Sequence, residues 1–428
     1  MTNGSTRREL LGAGVAAATL AAPVRALAGD SLAGGAMRTD EAYWRTIAAH
    51  YDLPKGVVQL ENGNWGAMAR PVLAAYQRNL ARVNTETSFY SRRGFGADAI
   101  ALRDRVAAEI GAASDEIAFT RGATEALLGL IGGYNRLRTG DQLLYADLDY
   151  DSMQAGFRSV ARRRGLEVVT IALPEPATYQ AIIDSYEAAL KAHPKVRLML
   201  LTHVSHRTGL VVPVREIVAM ARARGVDVIV DSAHAFGQLD FKVGDLGADF
   251  IGYTCQKWIG APLGVGLFYI KRDRLDAIDL NIGEDPGPRD TIQQRVHTGT
   301  TDIAALLTVG DALDFHHRIG IRAKEARLRH LRDLWAEQAR DMPGIEVLTP
   351  SDPRLTSALT SFRLTGVTSM ADNRALAKQL LDRFGIFTVE RDGPARGACV
   401  RVTPGVFTSS DDVDRLVAAL RTLQRVMA

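Results

Sequence analysis

The sequence predicts an α/β fold: a mainly parallel sheet covered by helices on both faces, followed by a smaller α+β domain. Three observations carry this expectation. Segments such as Val196 to Thr202 and Val226 to Val230 carry consecutive apolar residues, Leu198 to Leu201 and Val228 to Val230, the pattern of strands buried on both faces. Such runs alternate with segments of helical apolar spacing from about Arg70 to Leu280. The chain has 428 residues, 46% of them apolar, which is enough for two cores.

In chain order, Asp40 to Tyr51 reads as an amphipathic helix, and Val57 to Leu60 as a strand that enters the glycine loop Asn62-Gly63-Asn64-Trp65-Gly66. Ile117 to Thr120 is strand-like and is followed by a small-residue turn and helical spacing. Asp141 to Tyr145 and Leu166 to Ile171 are further strands, and Gly264 to Ile270 adds one more. Gly283, Pro286, Gly287 and Pro288 mark Asn281 to Thr291 as a loop. Asp302 to Ile319 is a long helix, and Thr356 to Ala428 has strand-like runs and a closing helix, Asp411 to Val426.

The formal charge of +3 is near neutral for this length, and no basic block or basic–aromatic interleaving points to nucleic acid. Two cysteines, Cys255 and Cys399, make no disulfide framework, and no Cys/His spacing suggests a metal site. The N-terminus has its own logic. Arg7 and Arg8 precede the apolar stretch Leu10 to Ala22, and Ala26-Leu27-Ala28 is an Ala-x-Ala cleavage site. Residues 1–28 therefore read as a twin-arginine signal peptide, too short and too rich in alanine to span a bilayer. The expected destination is the periplasm or the outside, reached by folded export with no stable membrane insertion.

Lys257 follows a short apolar run and precedes a loop broken by Gly260, Pro262, Gly264 and Gly266. A desolvated amine with a lowered pKa suits that position, and such an amine forms a Schiff base with an aldehyde cofactor. Asp231 ends the β-branched strand Val226 to Val230, where open α/β sheets bind ligands. Pyridoxal phosphate needs a carboxylate at its ring nitrogen, and at ~4 Å and an effective dielectric of ~20 that pair attracts by roughly 4 kcal/mol. Gly122, Ala123 and Thr124 start a helix whose free N–H groups suit a phosphate. Each alone has a plainer reading: a loop lysine, a helix-capping aspartate, a helix opened by Thr124 and Glu125. Their order along the chain favours the shared one.

With these motifs the chain resembles the fold-type I pyridoxal-phosphate enzymes, within them the class V aminotransferase superfamily of cysteine desulfurases, kynureninases and isopenicillin N epimerases. The resemblance runs from about Leu60 to near the C-terminus. It implies a mainly parallel seven-stranded sheet in a large domain at 70–300, with an N-terminal segment at 29–69 joining the small domain. A linking helix and the small domain would fill 301–428. It implies pyridoxal 5'-phosphate held on Lys257, with Asp231 at the pyridine nitrogen and His234 at the phenolic oxygen. Gly122, Ala123 and Thr124 would form the phosphate turn. Thr254 and Gln256 fall where the family grips the phosphate, with glutamine in place of the usual histidine. Tyr150 falls where an aromatic ring stacks on the cofactor, and His206 stands where the family has asparagine.

Arg401 resembles the arginine that clamps the substrate carboxylate, and Asn64 and Trp65 lie on a loop that the family places near the substrate. Thr300, in His297-Thr298-Gly299-Thr300, resembles the segment that reaches the phosphate of a neighbouring subunit, which implies a homodimer with shared sites. Arg92 and Arg93 read as a solvated turn, with a place facing a site across the subunit interface as the alternative. Desulfuration needs a cysteine on a loop shortly before the clamping arginine, and none occurs between Ser357 and Ala398. With Asp231 to His234 and Gly299-Thr300 the chain looks closest to the isopenicillin N epimerase-like branch, and what remains is proton-transfer chemistry on an amino acid: transamination first, with epimerisation or a lyase reaction as the alternative. A periplasmic binding protein would need no Schiff-base lysine. A dinucleotide oxidoreductase would need a third glycine after Gly94 and Gly96 at the fingerprint spacing, and the chain has none.

Overall fold

A computed structural model of the chain describes residues 37–288 and 290–427. The signal-peptide segment with Arg7, Arg8 and the Ala26 to Ala28 site lies outside the described residues. The strands are β1 (Val58–Gln59), β2 (Ile117–Thr120), β3 (Gln142–Ala146), β4 (Glu167–Ile171), β5 (Val196–Thr202), β6 (Asp227–Asp231), β7 (Phe250–Thr254) and β8 (Gly266–Ile270). They continue with β9 (Ile345–Val347), β10 (Thr360–Leu364), β11 (Ile386–Phe387), β12 (Val389–Arg391) and β13 (Cys399–Val402).

Seven of them form one sheet in the order β2-β8-β7-β6-β5-β3-β4. Only β8 runs against its neighbours β2 and β7, so the expected α/β architecture is present. Side-chain alternation divides each central strand between two apolar layers. In β5, Met199 and Leu201 enter one layer while Leu198 and Leu200 enter the other. β6 repeats the split, with Val228 and Val230 on one side and Ile229 on the other. Helix Ala123–Gly133 covers the second layer with Ala126, Leu127, Leu130 and Ile131, the spacing of one helical face.

The small domain has the sheet β12-β13-β10-β9 and its own core around Trp335, Phe362 and Leu420. The N-terminal segment divides between the two lobes. Trp44 and Ile47 of helix Glu41–Ala48 pack in the large-domain core, whereas β1 pairs in parallel with β11 and brings Val58 and Leu60 into the small one. Helix Ile303–Ile319, capped by the Asp302 carboxylate, also packs into the large-domain core. By packing, the passage between lobes falls inside the next helix, Ile321–Arg340, with Leu328 in one core and Leu331 in the other. Arg92 and Arg93 correct the turn expectation: they are exposed in the last turn of helix Arg70–Arg93. Gly94 and Gly96 lie at the start of the next helix, Phe95–Ile110.

Candidate active site

Strand topology gathers the candidate residues at one edge of the sheet. β2, β3, β5, β6 and β7 run in one direction, and the residues that follow their carboxyl ends line a single cavity of about 950 Å³. Gly122, Ala123 and Thr124 come after β2, Tyr150 after β3 and His206 after β5. Asp231 closes β6, with His234 just beyond it, and Thr254, Gln256 and Lys257 come at and after the end of β7. Asn64 and Arg401 line the same cavity from the other lobe. Trp65 is exposed and is not among the lining residues. Thr300 is exposed and does not line it either.

Lys257 Nζ lies 2.9 Å from His234 Nε2. Burial lowers the lysine pKa to about 8, with the Asp231 carboxylate opposing the shift. Burial also holds His234 well below the ordinary histidine range, Lys257 adding to the effect. A neutral His234 can accept the Lys257 proton at Nε2, while its buried Nδ1 has no partner among the described residues. Asp231 is buried, and burial raises its pKa although Oδ1 accepts from Ala233 N at 2.9 Å. A carboxylate so placed gains by facing a cation on the cavity side.

The remaining groups suit an anion and a flat ring. Helix Ala123–Gly133 starts at Gly122 with no side-chain cap, so its first N–H groups are free for a phosphate. Gln256 Oε1 is buried with no partner beside that start, close to where a Cβ on Gly122 would sit. Tyr150 caps helix Asp151–Arg164 by position and meets the His206 ring edge to face at 5.0 Å. Beneath it the buried Asp149 carboxylate ties Ala146 N at 2.7 Å to Thr202 N at 2.9 Å, which fixes the ends of β3 and β5 together. Hydroxyls, amide, helix N-terminus, lysine and buried carboxylate together make a donor set that fits pyridoxal phosphate.

The sequence reading missed several supports. Glu61 binds Arg401 Nη2 through both carboxylate oxygens, at 2.7 and 2.8 Å, so the expected substrate clamp already has an anionic partner. Gly63 lies against that guanidinium and Gly66 against the Lys257 carbonyl, each so close that a Cβ would overlap it. Gly66 N also donates to Gln256 O at 2.8 Å, so the glycine loop straps the lysine segment to the small lobe. Gln238 ties two distant segments at the large-domain core, donating to His234 O and accepting from Ala358 N. Lys257 is not the sole lysine without a surface role. Lys324 is buried, donates to Trp258 O and lies 3.2 Å from His316 Nδ1. The clustered glycines of residues 63–66 were the one sequence signal of such close approach.

A family profile described as Aminotransferase class-V matches residues 67–416. The chain belongs to the class V aminotransferase family. Isopenicillin N epimerase of Streptomyces clavuligerus is 30% identical over 398 residues, which cover 89% of this chain and 98% of that protein. The cysteine desulfurase CsdA of Escherichia coli shares the fold with a TM-score of 0.75 at 22% identity, covering 90% of this chain and 99% of that one. A solved C-DES variant with glycine covalently linked to its PLP cofactor gives 0.73 at 21% identity, over 85% and 96% of the two chains. The cofactor of this class V protein is pyridoxal 5'-phosphate. Among the described residues no cluster could hold a metal ion, and no helix is long and apolar enough to cross a membrane.

Proposed function

We propose that this class V enzyme moves the Cα proton of an amino acid and that its reaction is transamination. The observation that carries the reading is the 2.9 Å contact between Lys257 Nζ and a neutral His234 in a cavity that lowers the lysine pKa to about 8. Such an amine is both a nucleophile for the cofactor aldehyde and, once released, a base that takes and returns a proton near neutral pH. Pyridoxal phosphate, when bound, supplies the electron sink that makes the Cα proton removable. Asp231 would hold a positive charge at the cofactor's ring nitrogen, and the free N–H groups after Gly122 with Thr124, Thr254 and Gln256 would anchor its phosphate. Tyr150 supplies a ring wall.

Epimerisation is the second reading, favoured by the relative that matches nearly end to end and is named isopenicillin N epimerase. It requires a second proton carrier on the opposite face, and the Tyr150 phenol is one lining group that could serve. Incubation of the cofactor-loaded protein with L- and D-amino acids in deuterated water separates the two. Keto acid with pyridoxamine build-up supports transamination; Cα exchange with inversion supports epimerisation. Neither outcome, with no visible cofactor band in the pure protein, overturns both.

We further propose that the protein works as a homodimer in which Thr300 of one copy completes the phosphate site of the other. The exposure of Thr300 away from its own cavity is consistent with this, as is exposed apolar surface at Leu128 and Ile282 beside the cavity mouth. Twin-arginine export to the periplasm completes the reading, and replacing Arg7 and Arg8 by lysine should retain the protein in the cytoplasm.

A further inference from the structure

The cavity holds a second guanidinium, at Arg391. β12 pairs antiparallel with β13, with Val389 opposite Arg401 and Arg391 opposite Cys399. Opposed residues share a face of the sheet, as do residues two apart on one strand, so Arg391 and Arg401 are diagonal neighbours, and both line the cavity.

Their partners differ. Arg401 gives Nη2 to Glu61 and Nη1 to His206 O at 2.6 Å, leaving only a buried Nε with no acceptor. Arg391 gives Nη1 to Glu390 O at 3.1 Å. Its Nη2 is 3.8 Å from Glu61 Oε1, outside hydrogen-bond range, and its buried Nε has no acceptor. The Nε and Nη2 groups form the edge of a guanidinium that receives a carboxylate side-on through two parallel bonds. Arg401 cannot offer that edge while Glu61 holds it. Arg391 can.

Charge points the same way. Arg391 and Arg401 share one carboxylate, Glu61, which is hydrogen-bonded to Arg401 and only within ion-pair distance of Arg391. Burial, with Arg401 adding, lowers the Arg391 pKa, a penalty that a bound anion relieves. Glu61 is itself fixed, since Oε1 accepts from Asn64 N at 3.1 Å and Gly63 packs against the Arg401 guanidinium.

We propose that Arg391 receives the substrate carboxylate, and that Glu61 locks Arg401 as a fixed positive neighbour rather than the clamp. The proposal rests on the amino-acid reading above. It names the substrate class as amino acids with a free carboxylate directed at β12.

Calorimetric titration of the cofactor-loaded protein with butyrate, a carboxylate without an amine, tests it apart from turnover. Arg391→Gln should weaken butyrate binding by about 10- to 100-fold, the scale of a charge-assisted bidentate contact, and Arg391→Lys by a smaller factor. Adding Glu61→Gln to Arg391→Gln should restore part of the affinity, because Arg401 Nη2 is then released; a merely structural role for Arg391 would not give that rescue. The visible cofactor band and an unchanged melting temperature report that each variant is folded and loaded. Unchanged butyrate affinity in Arg391→Gln, no binding by the parent, or absence of rescue overturns the proposal. A parent without the visible band counts instead against the cofactor-dependent reading, whatever butyrate does.

Discussion

Capture of the cofactor aldehyde by Lys257 should follow pH with a midpoint near 8. Burial lowers the ammonium from its ordinary 10.5 to about 8, the Asp231 carboxylate opposing and Arg401 reinforcing the shift. At about pH 7.5 such a lysine is neutral in about one molecule in four, against about one in a thousand for a solvated lysine. The reactive amine is therefore enriched by roughly 200-fold, and its fraction rises as pH rises through 8. Asp231→Asn removes the opposing carboxylate, so its midpoint must fall below that of the parent. The assay mixes apo-protein with pyridoxal phosphate between roughly pH 6 and 11, quenches with borohydride and quantifies the labelled Lys257 peptide by mass spectrometry. A midpoint above about 10, or a midpoint in Asp231→Asn higher than in the parent, refutes the reasoning.

Other consequences are as direct. Lys324 has a pKa lowered by burial to about 7, so the unfolded chain binds more protons between about pH 7 and 10.5 and stability rises with pH across that window. Lys324→Met should flatten that part of the rise, leaving the smaller contribution of Lys257, as read by thermal melts in a pH series. Gly66→Ala forces a methyl onto the Lys257 backbone carbonyl and should cost about 1–3 kcal/mol with loss of retained cofactor, measured by denaturant titration and absorbance. Gly63→Ala meets the end of a side chain instead, so it should break the Arg401–Glu61 pair while cofactor loading persists. Gln238→Ala leaves Ala358 N and His234 O without their partner and should cost about 1–3 kcal/mol by the same titration. Mixing Lys257→Ala with Thr300→Ala chains should restore about a quarter of parental activity if sites are shared between copies, the fraction of sites then intact by random pairing.

The fold was legible because its central strands are apolar on both faces, as β5 and β6 are, and because glycine and proline mark their ends. Residues contributed by consecutive strand ends were legible for the same reason: Gly122, Tyr150, His206, Asp231 and Lys257 each follow or close a readable strand. What stayed hidden depends on contacts between distant segments. Glu61 and Arg401 are 340 positions apart, and nothing local in either segment announces their pairing. Arg391 sits on a strand of three residues, too short to show alternation, and its direction toward the cavity follows only from pairing with β13. Lys324 was hidden because a lysine in a charged helix reads as solvated, and only the packing of that helix between two cores encloses it.

The strap from Val58 to Gly66 is sewn to one lobe through β11 and to the other through the carbonyl of Gln256, one residue before Lys257. A thread that short has little slack, each link reaching at most about 3.5 Å. Swinging the lobes apart would therefore tug on the lysine segment, and an absorbance shift of the bound cofactor would report it. A protease nick at Trp65, exposed on the outside of the strap, would cut that line and leave colour indifferent to posture.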